Sequence, residues 1–215
     1  MDIEQLRWGF LQLILLIISI GLHEFGHAWM ADLRGDPLPR MQGRVTLNPF
    51  AHTDPIGTIA IPAVMIFLNP GVSIVGWGKP VQISLPNPRT RRMDDIYITL
   101  AGPAMNLVLC CLFAVIGGLG NFDPHSQKVI LNFLQMGIMM NASLVVFNLI
   151  PIPPLDGSRV ALRLGLYSEE LFLSMARWGF VILLVLVNFP PFQVAMAYLR
   201  ALVVWPWAYL WNLLA

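Results

Sequence analysis

Leu11-Gln12-Leu13-Ile14-Leu15-Leu16-Ile17-Ile18-Ser19-Ile20-Gly21-Leu22-His23-Glu24-Phe25-Gly26-His27 joins a membrane-grade apolar run to a histidine–glutamate–histidine pattern. The two histidines are four residues apart, so on a helix they project from one face. Neutral imidazoles suit zinc, and a glutamate beside them can act as base on a metal-activated water. Ionisable groups are costly within a bilayer, so they are rare there and usually functional. The stretch therefore predicts a spanning helix that carries water chemistry in the membrane plane.

The rest of the composition agrees with a membrane protein. Of 215 residues, 57% are hydrophobic and only 12% charged, where soluble domains average roughly 25% charged. Mean hydropathy is +0.69. A net charge of +1 gives no case for nucleic-acid binding. Cys110 and Cys111 are adjacent in an apolar run, so they point apart on a helix and read as packing residues. No cleavable signal peptide is evident, because removing the first apolar run would remove His23, Glu24 and His27.

Apolar runs predict spans over about Trp8–Asp32, Ile96–Leu119, Val129–Ile150, Leu171–Phe189 and Phe192–Leu214. Ile56–Leu68 is too short for an ordinary span of roughly 20 residues and contains Pro62, which predicts a re-entrant piece or one that extends past Pro70 towards Val75. Residues 72–85 mix β-branched residues with Gly76 and Gly78 and read as a short strand or looped hairpin. An exposed edge there would pair with an extended peptide. The fold class expected is thus an all-α polytopic membrane protein. It is a bundle of about 4–6 transmembrane helices with a small β or looped membrane-associated element. Residues 1–215 read as one domain, with a core of 8–32, 94–120 and 129–157, a re-entrant or β region at 48–88, and C-terminal helices over 170–214.

Arg34, Arg40, Arg44, Lys79, Arg89, Arg91, Arg92, Arg159 and Arg163 flank the polar segments near the motif residues, whereas Arg7 and Lys128 lie at the other ends. The positive-inside rule then puts the His23–His27 end of the first span on the cytoplasmic side. Trp205, Trp207, Tyr209 and Trp211 suit an interfacial aromatic belt.

A catalytic zinc usually takes three protein ligands and leaves one position open. His52 and Asp156 are the candidates for the third, Asp156 the stronger because it follows a proline-broken helix end. His125 falls in the opposite loop. Asn106 suits holding a substrate carbonyl or interhelical bonding, and Asn148 suits steering substrate or satisfying backbone freed by Pro151. His52 reads as a donor or proton relay behind the ligands, or as a loop contact.

Three elements together resemble the site-2 protease family of intramembrane zinc metalloproteases. They are His23-Glu24-x-x-His27, Gly102-Pro103-x-x-Asn106 and Asn148-x-x-Pro151-x-Pro153-x-x-Asp156-Gly157. Asn48–Thr58 and Gly76-Trp77-Gly78-Lys79-Pro80 look like the compact subgroup without PDZ or CBS domains. The resemblance implies Zn2+ held by His23, His27 and Asp156, with Glu24 as general base. It implies an intramembrane zinc endopeptidase of a prokaryotic plasma membrane, cleaving a transmembrane segment of a substrate protein within the lipid bilayer. The alternative function is a non-proteolytic membrane metal-binding or transport protein, which leaves Glu24 without a task.

Overall fold

The computed structural model describes residues 2–68 and 76–215. It divides into two compact units, Met1–Ser84 and Leu85–Ala215. Among the described residues five helices are long and apolar enough to cross a membrane. They are α1 (Ile3–Leu33), α4 (Arg91–Leu119), α5 (Lys128–Asn148), α7 (Glu169–Val187) and α8 (Pro190–Leu214). Three shorter helices are α2 (Leu38–Met41), α3 (Ile61–Leu68) and α6 (Asp156–Leu164). The protein is an all-α polytopic membrane protein.

In the first unit α1 starts earlier than its apolar run. Asp2 accepts from the Gln5 amide at 2.7 Å and Gln5 accepts from the Asp2 amide at 3.1 Å, a reciprocal cap that lets the polar first turn become helical. The helix packs against α3, against a 3-10 turn at Pro49–Ala51 and against a π-helical stretch at Pro55–Ala60. Asp54 starts that stretch by accepting from the amides of Ile56 and Gly57 at 3.0 and 2.7 Å. Continuous helix from Pro55 to Leu68 rises only about 21 Å, too little for a hydrocarbon core of about 30 Å.

The expected β element is corrected by the structure. Residues 72–75 lie outside the described residues, and 76–85 hold no strand. The one β pairing among the described residues is an isolated antiparallel bridge between Thr53 and Gly78. The cause lies in where the backbone groups go. The Trp77 amide donates to Gly57 O at 3.1 Å and the Lys79 amide to His52 O at 2.8 Å. Thr58 Oγ1 donates to Trp77 O at 2.7 Å. Pro80 has no N–H to give a ladder. Ser84 donates its amide and hydroxyl to the buried Asp36 carboxylate at 2.5 and 2.6 Å. Loop carbonyls and side chains thus consume the groups that a partner strand would have used.

In the second unit α4 packs along α5, and both meet α8. Leu109, Cys110, Phe113 and Ala114 on α4 and Leu134, Ile138, Ala142 and Val145 on α5 are buried. Lipid is as apolar as leucine, so close packing and hydrogen bonds hold such helices together. Asn106 Nδ2 donates to Asn141 Oδ1 at 2.9 Å, with both side chains fully buried. One such bond contributes about 0.6–2 kcal/mol. Pro151, Pro153 and Pro154 separate α5 from α6. The connector is pinned by a small cluster of Ile150, Leu155 and Leu183, with Phe147, Ile152, Phe192 and Met196 against it. The apolar window of α8 has no buried residue, and only 11% of that of α7 is buried.

Candidate metal centre

His23 and His27 occupy successive turns of α1, with ring nitrogens Nε2 and Nε2 3.1 Å apart and ring planes at 86°. Two nitrogens bound at 2.0–2.1 Å to one tetrahedral ion would lie about 3.3 Å apart. The pair is therefore set nearly as two ligands of one ion would be. His23 is buried.

Asp156 is the first residue of α6. Its position depends on Gly157. A Cβ there would stand 2.2 Å from Leu149 O and 2.6 Å from Ile150 O, so only glycine lets α6 begin against the end of α5. The sequence shows the proline break but not the nine-residue helix that restarts behind it. His23 and His27 of the first unit and Asp156 of the second supply a His–His–Asp triad of a kind that can coordinate a metal ion. Two imidazoles and one carboxylate are a donor set that zinc accepts with a position to spare.

Glu24 follows His23 on α1, and the loop backbone lies against its side chain. A Cβ on Gly78 would come within 2.7 Å of Glu24 Cγ and 2.9 Å of Oε1. The loop is held there by Arg44, a buried arginine that donates to Ala51 O at 2.5 Å and also to Lys79 O. Burial pushes the Arg44 guanidinium below its ordinary value, and the charge of Glu24 opposes that shift. Sequence reading used Arg44 only for orientation. Nothing in its neighbours signals that a cation there is buried.

His52 is not part of the triad. It is fully buried, its Nε2 donates to Thr46 O at 2.9 Å, and its ring meets Phe25 edge-on. It fixes the loop that carries the 3-10 turn. Burial lowers its pKa below the ordinary histidine value; the Thr46 carbonyl opposes this and Arg44 adds to it. The unfolded chain titrates His52 near about 6.5 while the folded chain resists the proton. Its share of stability is full above that value and falls as pH drops through it towards the lowered folded value. Metal-free wild type should therefore lose thermal stability more steeply than His52→Gln between about pH 7 and pH 5. Parallel melting curves would count against this.

Asn106 and Asn148 are both engaged, Asn106 with Asn141 and Asn148 Nδ2 with Leu144 O at 3.0 Å. His125 is exposed in the α4–α5 loop and is not part of the triad.

Comparison with known proteins gives a consistent result. The model of peptidase family M50 matches residues 11–124 and 119–186. YwhC of Bacillus subtilis is 32% identical over 90% of this chain and 83% of its own length. Rip2 of Mycolicibacterium smegmatis is 31% identical over 81% of this chain and 65% of its own length. The zinc metalloprotease Rip1 of Mycobacterium tuberculosis is 30% identical over 54% of this chain and 30% of its own length. No solved structure gives a significant match. Five spanning helices, a metal-capable triad and these matches support a zinc-dependent metalloenzyme of the membrane, and the chain belongs to peptidase family M50.

Proposed function

We propose that the protein is an intramembrane zinc endopeptidase that cuts a transmembrane segment of a substrate protein. The observation that carries this is the His23–His27–Asp156 triad, with Glu24 beside it on a spanning helix. Residues 1–215 work as one catalytic domain, and the site faces the cytoplasmic side of a prokaryotic plasma membrane. The arginines around the motif residues support that orientation.

His23, His27 and Asp156 would hold the ion through two imidazole nitrogens and a carboxylate oxygen. Zinc bound there would supply Lewis acidity towards the scissile carbonyl and would lower the pKa of water towards about 7. Glu24 takes the proton of the attacking water on its carboxylate and delivers it to the leaving amide nitrogen. No covalent link between enzyme and substrate is required. Asn106 and Asn148 hold the substrate backbone through their side-chain amides. His52 acts from a distance, by keeping the 46–52 loop in place.

A substrate helix hides its peptide bonds in its own hydrogen bonds, so it has to unwind locally before cleavage. Glycine, proline or asparagine near the scissile bond should favour that step.

The test uses the full chain in liposomes with a candidate transmembrane substrate from the same membrane. Cleavage should stop with a zinc chelator and return with added Zn2+. Cleavage that persists in metal-free protein would refute the zinc mechanism. Zn2+ flux across the liposome without cleavage, unchanged in Glu24→Gln, would favour a transport role instead.

A further inference from the structure

Asp95 lies on α4 and is 2% exposed, yet the proposed chemistry gives it no task. Both of its oxygens are occupied. Oδ1 accepts from Arg159 Nη2 at 2.8 Å and Oδ2 from Arg163 Nε at 2.5 Å. Arg159 and Arg163 sit one turn apart on α6, the helix that Asp156 opens. Asp156, Arg159 and Arg163 are spaced i, i+3, i+7, so they project within about 60° of one another around the helix. The stripe that carries the candidate ligand is the stripe clamped to α4.

A helix of nine residues has little rigidity of its own. Gly157 seated on Leu149 O and the Ser158 hydroxyl on Leu155 O at 2.6 Å locate its start. Both act on the first turn alone, whereas Arg163 lies in the last. A single bond to Asp95 would act as a pivot, whereas two bonds one turn apart resist turning. The stakes are geometric. A 20° turn of α6 moves an atom about 5 Å from its axis by about 1.7 Å, while metal–ligand distances hold within about 0.2 Å.

We propose that Asp95 is a positioning residue for Asp156: through Arg159 and Arg163 it fixes the rotation of α6 and hence the aim of the Asp156 carboxylate. The inference rests on the reading of Asp156 as a metal ligand. A purely structural ion pair would act on folding instead. Against that stands the exposure of the arginines, 40% and 28% at their side chains. Without Asp95 both guanidinium groups can turn to water, so no buried unpaired cation is left to unfold the unit.

The experiment measures Zn2+ affinity of the full chain in detergent by competition with a chelating dye, the absorption of the Co2+ form, and thermal stability without metal. Asp95→Asn should weaken Zn2+ binding about 10–100-fold and change the Co2+ spectrum in the same sense as Asp156→Ala. The metal-free melting temperature should barely move. Asp95→Glu should recover most of the affinity. If Asp95→Asn does not fold, the Arg159→Met/Arg163→Met pair makes the same test from the other side. Wild-type affinity in these variants, with Asp156→Ala impaired, would overturn the inference alone. Wild-type affinity in Asp156→Ala would overturn the ligand reading and the inference with it.

Discussion

Glu24→Gln is expected to keep zinc at wild-type affinity and to cleave about 10²–10⁴ times more slowly. Glutamine preserves the shape that packs against Gly78 and leaves His23 and His27 untouched. It cannot accept a proton at neutral pH, so only the transfer from water to leaving nitrogen is lost. Measuring zinc content and cleavage on the same preparation separates the two. Substantial turnover in that variant would remove Glu24 as the required base. Loss of zinc would mean that the glutamate is a ligand, not a base.

The second large effect concerns the triad. Purified wild type should carry about one zinc per chain, and His23→Ala and Asp156→Ala should each carry almost none. Removing a direct ligand should exceed the 10–100-fold loss typical of groups behind the ligands. The two variants should also lose activity together, because each leaves two protein donors where a catalytic zinc site ordinarily has three. Zinc retained in Asp156→Ala would transfer the third position to another donor. A well-folded wild type without zinc would undercut the protease reading altogether.

The two kinds of signal in this chain were not equally readable. The long spans were legible because an apolar run of about 20 residues has few alternatives to a membrane helix. His23 and His27 were legible as a pair because helical period alone puts them on one face. Residues 76–85 misled, because β-branched residues and glycine pairs resemble a strand. The outcome was set by distant carbonyls at Gly57 and His52 and by the Asp36 carboxylate, none of which local pattern reveals. α6 was missed for a related reason. Three prolines mark an end convincingly, but the restart depends on Gly157 fitting against Leu149 O, a fact of packing. Asp95 gave no signal either, since its partners are more than sixty residues away.

The position of His23 along α1 has a consequence for what a substrate must look like. From Trp8, where the helix turns apolar, to His23 the rise is about 22 Å, against a hydrocarbon thickness of about 30 Å. With Trp8 at the bilayer edge and α1 upright, the proposed reacting centre would lie roughly 8 Å below one surface. Vulnerability of a substrate would then be decided by vertical register. A weak helical turn at that depth would be within reach, and the same turn at the midplane or in the opposite leaflet would not.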